Sequence, residues 1–259
     1  MYGKESSNNF MFIQPNKTKA KLKAGQPAFG VIATTDDPQL AELFGLAGFD
    51  YYMLDAEHGL IDPEQVVNVI RACEGTNMTP MVRIGQKDPK LVLQYLDAGM
   101  MGIMMPGLET VEEVKMLVNS MKYAPLGKRG LGFSRASGHM VSPDYINFSN
   151  EQTMVIIQFE DDKLLQKFAA LCSVTGLDAC VVGPRDLSLN MGFPDRPSHP
   201  EVQSVIDNAI GIMKNTGIIA GITAGTRADA EAQIARGATM ILTPAQSLVL
   251  AGSKRFLPE

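Results

Sequence analysis

"DYYMLDAEHGLIDPEQVVNVIRACEG", residues 50–75, is the stretch on which the fold turns. Its first part is an apolar, β-rich run. From Asp62 and Pro63 onward the apolar residues return at helical spacing, and that pair reads as an N-cap followed by a proline at the first helical position. A strand passed directly into an amphipathic helix is one βα unit, so the question is whether it repeats.

Seven further runs of the same kind flank it. "FGVIATT" (29–35) leads into "PQLAELFGLAG", "PMVRIG" (80–85) into "DPKLVLQYLDAG", and "GIMMPGL" (102–108) into "TVEEVKMLVNSMKY", where Thr110 and Glu113 can form a capping box. A long polar connection follows, "APLGKRGLGFSRASGHMVSPDYINFSN", longer than an ordinary link and therefore expected to be a binding loop. The alternation resumes with "TMVIIQFE" (153–160), "ACVVGP" (179–184), "GIIAGIT" (217–223) and "ATMILTP" (238–244). The tripeptides "AGF", "AGM", "TGL", "TGI" and "RGA" place glycine at helix ends, where a left-handed C-cap needs it. Eight units predict an α/β fold of the closed (β/α)8 TIM-barrel type, one domain over residues 1–259 with residues 1–17 as a flexible leader. An open doubly wound sheet fits less well, because "GLGFSR" (130–135) has only two glycines of the dinucleotide fingerprint and does not lie between a strand and a helix.

The bulk numbers agree with a soluble enzyme. The chain has 259 residues, 45% hydrophobic and 20% charged, and single barrels routinely run to about 250 residues. A net charge of −5 and a pI near 5.3 argue against non-specific nucleic-acid binding. The lysine-rich opening lacks the apolar region of a secretory signal, and no apolar run is long enough to span a membrane, so a cytoplasmic protein is expected. Cys73, Cys172 and Cys180 show no zinc-ligand spacing and read as core thiols, and the 16 methionines as core filling.

In a barrel the carboxyl ends of all strands share one face. There the sequence delivers Asp55, Glu57 and His58 after the second strand, Arg83 in the third, Gln158 and Glu160 after the fifth and Asp186 after the sixth. Glu160 and Asp186 could hold one hard divalent cation, magnesium or manganese by preference, or each could simply cap the helix that follows. His58 could serve as a base if Asp55 or Asp97 orients it. Glu57, alternating away from Asp55, is expected in a salt bridge. A charged guanidinium near the interior needs acids or a bound anion, which makes Arg83 either a structural partner of Asp55 or Glu57 or an anion ligand. Lys128, Arg129 and Arg135 in the long loop either form a solvated face or grip a substrate carboxylate. His199, before Pro200, reads as a helix-start residue.

Together "KLKAGQPAFGV", "GFDYYMLDAEHG", "PMVRIG", "YLDAG", "RGLGFSRAS", "VIIQFED", "VVGPRDLS" and "HPEVQSVIDNAI" resemble the HpcH/HpaI family of metal-dependent pyruvate aldolases, from about residue 18 to the C-terminus. The resemblance implies reversible cleavage of a 4-hydroxy-2-oxoacid to pyruvate, or a close analogue, and an aldehyde. It implies Glu160 and Asp186 as ligands of Mg2+ or Mn2+ (Co2+ or Zn2+ being further options), His58 as base, Asp97 as the acid that raises its basicity, and Arg83 as enolate stabiliser. Gln158 and the backbone amides around Arg185 and Asp186 would bind the pyruvate portion, with Asp55 an accessory acid. It also implies a homo-oligomer, a hexamer in which the C-terminal helix is exchanged between subunits. Lys87 and Lys163 fall in loops, which disfavours a Schiff base. Alternatives using the same enolate are an oxaloacetate decarboxylase or a macrophomate-synthase-like condensing enzyme. A non-catalytic oxoacid-binding barrel is an alternative of another kind.

Overall fold

In the computed structural model, which describes residues 14–139 and 143–258, eight parallel strands close on themselves in sequence order. They are β1 (Ala28–Ala33), β2 (Tyr51–Asp55), β3 (Thr79–Arg83), β4 (Gly102–Met105), β5 (Met154–Phe159), β6 (Ala179–Val182), β7 (Ile219–Thr223) and β8 (Met240–Pro244). The seam is β1 against β8, in register from Ala28 opposite Met240 to Ile32 opposite Pro244. Side chains alternate between two cores, as the pleat requires. Met53, Met81, Met104, Met154 and Met240 fill the barrel with Tyr51 and Ile156, and the buried Tyr51 hydroxyl donates to the Ile241 carbonyl at 2.8 Å. The outward residues pack under the helices, which also bury the three free thiols.

The helices outside are α1 (Lys17–Lys23), α2 (Pro38–Leu46), α3 (Val66–Gly75), α4 (Pro89–Ala98), α5 (Val111–Met121), α6 (Pro143–Gln152), α7 (Leu165–Cys172), α8 (Pro184–Asn190), α9 (Pro200–Thr216), α10 (Arg227–Arg236) and α11 (Ala245–Phe256). The Thr110–Glu113 capping box forms at α5, and removing such a cap costs about 1 kcal/mol. Gly99, Gly217 and Gly237 are left-handed C-caps. His199 caps α9, its Nδ1 accepting from Glu201 N–H at 3.4 Å. None of the described helices is long and apolar enough to cross a membrane.

Two local expectations need correction. The helix after β2 starts at Val66 rather than at Pro63. Asp62 instead opens a single tight turn, its carbonyl accepting from Gln65 N–H at 3.0 Å while its N–H donates to Gln65 Oε1 at 2.8 Å, so the proline sits in that turn. The leader expected over residues 1–17 lies mainly outside the described residues, but Asn16 and Lys17 already belong to α1. Asn16 is buried and its side chain accepts from Lys19 N–H.

Candidate active site

Arg83 ends β3 directly opposite Asp55, the last residue of β2, and the mouth of the barrel is built on that register. Nε of Arg83 donates to Asp55 Oδ1 at 2.9 Å and Nη2 donates to Oδ2 at 2.6 Å, a bidentate fork that fixes the plane of the guanidinium. Asp55 is only 4% exposed, so the pair is structural in the sense anticipated for Arg83, and it also aims the remaining hydrogens. Nη1 donates to Gln158 Oε1 at 3.3 Å, and Gln158 Nε2 donates to Glu160 Oε2. One chain of hydrogen bonds thus runs Asp55, Arg83, Gln158, Glu160 across β2, β3 and the end of β5.

Strand alternation does not govern Glu57, because β2 ends at Asp55 and the chain turns at once. Gly59 N–H donates back to the Asp55 carbonyl at 3.0 Å, and the backbone N–H groups of Glu57 and His58 both lie 3.3 Å from Asp55 Oδ1. A Cβ at position 59 would come within 2.3 Å of that carbonyl, so the turn demands glycine. It returns Glu57 to the same side as Asp55, with Oε2 at 3.2 Å from Arg83 Nε. Nε has a single hydrogen, already given to Asp55, so Glu57 contributes attraction without a hydrogen bond.

Burial is the largest influence on Arg83 and would lower its pKa, but the hydrogen bond and charge of Asp55, then the charges of Glu57 and Asp186, outweigh it and hold the group firmly cationic. Glu160 moves the other way for a carboxylate. Burial raises its pKa, and the negative charges of Glu57 and Asp186 raise it further against the Gln158 hydrogen bond and Arg83. Burial is thus the main influence on Glu160, with the two neighbouring acids adding to it. Asp186 lies not on a strand end, as expected, but in the first turn of α8, because β6 stops at Val182 and Pro184 starts the helix. Arg185, beside it, is exposed.

Two groups expected at this face lie elsewhere. Asp97 occupies the last turn of α4, and since helices run antiparallel to strands in this fold, that is the opposite end of the barrel from His58. There Asp97 accepts from Arg129 Nη2 at 2.7 Å, so within one chain it does not orient His58. The long connection after α5 starts from that same end, and its described residues up to Ala136 stay there, the Ala136 N–H donating to the Asp97 carbonyl at 3.1 Å; residues 140–142 lie outside the described residues. Arg129 is buried against Asp97 and over the Tyr123 ring at 4.7 Å, and Arg135 pairs with Glu74 at 2.6 Å. Within one chain neither reaches the mouth, and Lys128 is exposed at the same end.

Sequence reasoning passed over Asn190, whose side-chain amide donates to the Glu160 carbonyl at 2.8 Å and ties α8 to the end of β5; an exposed asparagine late in a helix carries no signal for such a contact. It also passed over Lys122, buried with Nζ donating to the carbonyls of Asn150 and Thr153 and to Thr153 Oγ1 at 2.8, 2.7 and 3.0 Å. Burial, aided by Lys19, pushes its pKa down to about 7.

The HpcH/HpaI aldolase/citrate lyase family matches residues 29–247. The hydroxypyruvate/pyruvate aldolase of Cupriavidus necator is 32% identical over 244 residues, covering 93% of this chain and 91% of that protein. The 4-hydroxy-2-oxo-heptane-1,7-dioate aldolase of Salmonella paratyphi A is 33% identical over 238 residues, 91% and 90% of the two chains. Among solved structures, an HpcH/HpaI aldolase/citrate lyase family protein from Burkholderia cenocepacia J2315 superposes with a TM-score of 0.87 at 28% identity, over 93% of this chain and 97% of that one.

Proposed function

The chain belongs to the HpcH/HpaI aldolase/citrate lyase family, and from that premise we propose that it is a divalent-metal-dependent carbon–carbon lyase. It reversibly cleaves a 4-hydroxy-2-oxoacid into pyruvate, or a close analogue, and an aldehyde. The observation that carries the reading is the hydrogen-bonded chain from Asp55 through Arg83 and Gln158 to Glu160, which ends on a carboxylate whose pKa is raised first by burial and then by the charges of Glu57 and Asp186.

Such a site suits a hard dication. Glu160 and Asp186 offer oxygen donors only, which favours Mg2+ or Mn2+. Two carboxylates also leave coordination positions for water and an oxoacid. When bound, the ion supplies Lewis acidity toward the 2-oxo group.

The chain's own residues account for the rest. His58, whose side chain is 63% exposed at the mouth, takes the proton of the C4 hydroxyl as the C3–C4 bond breaks and the aldehyde leaves. The electron pair passes to C3 and the 2-oxo oxygen, and the N–H groups of Arg83 not spent on Asp55 stabilise the charge developing there. Asp55 holds the guanidinium fixed, so little reorganisation accompanies the step. Gln158 and the backbone amides of Arg185 and Asp186 bind the substrate carboxylate. The exposed Arg185 side chain would meet an acidic acceptor aldehyde. A returning proton at C3 gives pyruvate.

The protein works as an oligomer. The outer face of α11 leaves Leu250 and Phe256 at 61% and 89% exposure, and beside it the outside of β1 and β8 carries a groove of about 410 Å3 lined by Phe29, Phe49, Ile241 and Leu248. Burial of both against a second copy would remove this apolar surface from water, which is what favours the expected exchange of the last helix.

The test is pyruvate release from 4-hydroxy-2-oxoacids, lost after exhaustive EDTA treatment and restored by Mn2+. A borohydride-trapped pyruvate adduct, or turnover that survives EDTA, would overturn the metal mechanism. Oxaloacetate decarboxylation without aldehyde-dependent turnover would favour the alternative enolate chemistry.

A further inference from the structure

The two carboxylates assigned to the metal stand on different elements, Glu160 just past β5 and Asp186 in the first turn of α8. Their separation therefore depends on how α8 is fixed to the end of β5. The sheet does not fix it. Phe159 and Val182 are the last paired residues of the two strands, and the Gly183 N–H, donating to the Phe159 carbonyl at 2.9 Å, ends the ladder. Pro184 follows and has no N–H to offer the next carbonyl, that of Glu160. The start of α8 makes no tie of its own, since Gly183 at the N-cap has no side chain with which to bond.

The missing donor comes from the other end of the helix. Asn190 Nδ2 donates to the Glu160 carbonyl at 2.8 Å, and among the described residues no other side chain of α8 bonds outside the helix. Asp186 and Asn190 are four residues apart and so share one stripe of α8. That stripe faces Glu160: Asn190 bonds its main chain, while the charge of Asp186 acts on both Glu160 and Arg83. The first turn also approaches closely, for a Cβ at Gly183 would stand 3.0 Å from Gln158 Nε2 and 3.7 Å from Glu160 Cβ. Only Leu187 and Ser188 of this seven-residue helix are buried. Little else resists a rotation of α8 about its own axis, and such a rotation would carry Asp186 away from Glu160.

We propose that Asn190 is the positioning residue for this pair of carboxylates: by holding the last turn of α8 on the Glu160 main chain, it sets the spacing at which Glu160 and Asp186 share one dication. Its bond goes to a backbone oxygen, so it takes no lone pair from either ligand. Groups that orient ligands without touching the ion contribute to affinity in this way. The inference rests on the reading of Glu160 and Asp186 as the metal's ligands, and the experiment separates the two.

Mn2+ is titrated calorimetrically, without substrate, into metal-free full-length parent, Asn190→Leu, which keeps the bulk and loses the donor, and Asn190→Gln, which keeps an amide on a longer stem. Urea midpoints are measured on the same metal-free samples. Expected are one Mn2+ site in the parent, an affinity about 3- to 10-fold weaker in Asn190→Leu, the scale of one net hydrogen bond, and partial recovery in Asn190→Gln. Because Asn190 is exposed, the urea midpoints should stay close to the parent's, and at saturating Mn2+ kcat should return to near the parental value. Parental affinity in Asn190→Leu, or a loss that accompanies a lower urea midpoint and is as large in Asn190→Gln, would overturn the proposal while leaving the ligands in place. A parent that takes up no Mn2+ would refute the ligand assignment itself, and the role of Asn190 with it.

Discussion

Arg83 shows how much one residue's geometry decides. Its charge alone could be supplied by lysine, but the fork onto Asp55 at 2.9 and 2.6 Å cannot, because an ammonium is a single point that binds one oxygen well and leaves the other without a donor. Arg83→Lys is therefore expected to fold and to lose about 10²- to 10³-fold in kcat. The check is steady-state cleavage with a far-ultraviolet spectrum to confirm folding, and near-parental kcat would show that charge suffices. Glu160 is the opposite case, a carboxylate that burial and the nearby acids Glu57 and Asp186 push toward its protonated form. Glu160→Gln should weaken Mn2+ binding measured calorimetrically in the absence of substrate, and an unchanged affinity would remove Glu160 from the ligand set. At this scale the sequence was informative about which residues stand at the mouth, since each follows an apolar strand. It anticipated a salt bridge for Glu57, which Arg83 supplies, but placed the side chain away from Asp55, because the turn that returns it depends on Gly59 meeting the Asp55 carbonyl, a contact invisible to strand periodicity.

Joints between elements carry the buried polar chemistry away from the mouth. At the far end, Lys122 follows α5 and binds the end of α6 through Asn150 and Thr153, while Lys19 of α1 donates to the same Thr153 carbonyl and pairs with Asp178 at 2.8 Å. Burial, then the charge of Lys19, lowers the Lys122 pKa from 10.5 to about 7, with Asp178 opposing. The sign follows from proton counting. Between those two values the unfolded chain holds a proton that the folded chain has lost, so stability rises with pH through that window and the cost of a buried ammonium is fully present below it. The urea midpoint of the parent is expected to rise more between pH 6 and pH 9 than that of Lys122→Met, and equal slopes would refute the assignment. The aromatic contact between β5 and α7, Phe159 against Phe168 at 4.5 Å, is an apolar joint of the same kind. Phe168→Ala should cost about 3–5 kcal/mol in the same assay.

Taken whole, the barrel is complete as a sheet and incomplete as a surface. All eight strands are paired on both sides, yet α11 and the β1–β8 face next to it leave large apolar side chains in solvent. A double substitution, Leu250→Glu with Phe256→Glu, is expected to reduce the mass measured by light scattering at micromolar concentration without unfolding the barrel. A parent that is already monomeric would contradict the oligomer.

By itself the sequence determined the repeating βα order, the closure into a barrel and the set of acids, arginine and histidine at the strand ends, because period, cap and turn chemistry are local and survive in one dimension. Only the tertiary structure decided which of those groups meet. Whether Asp97 lies near His58 depends on the direction of α4, and whether the arginines of the long connection reach the mouth depends on which end of the barrel that connection leaves from. Both are matters of how antiparallel helices pack around parallel strands, and no spacing along the chain encodes a distance across the barrel.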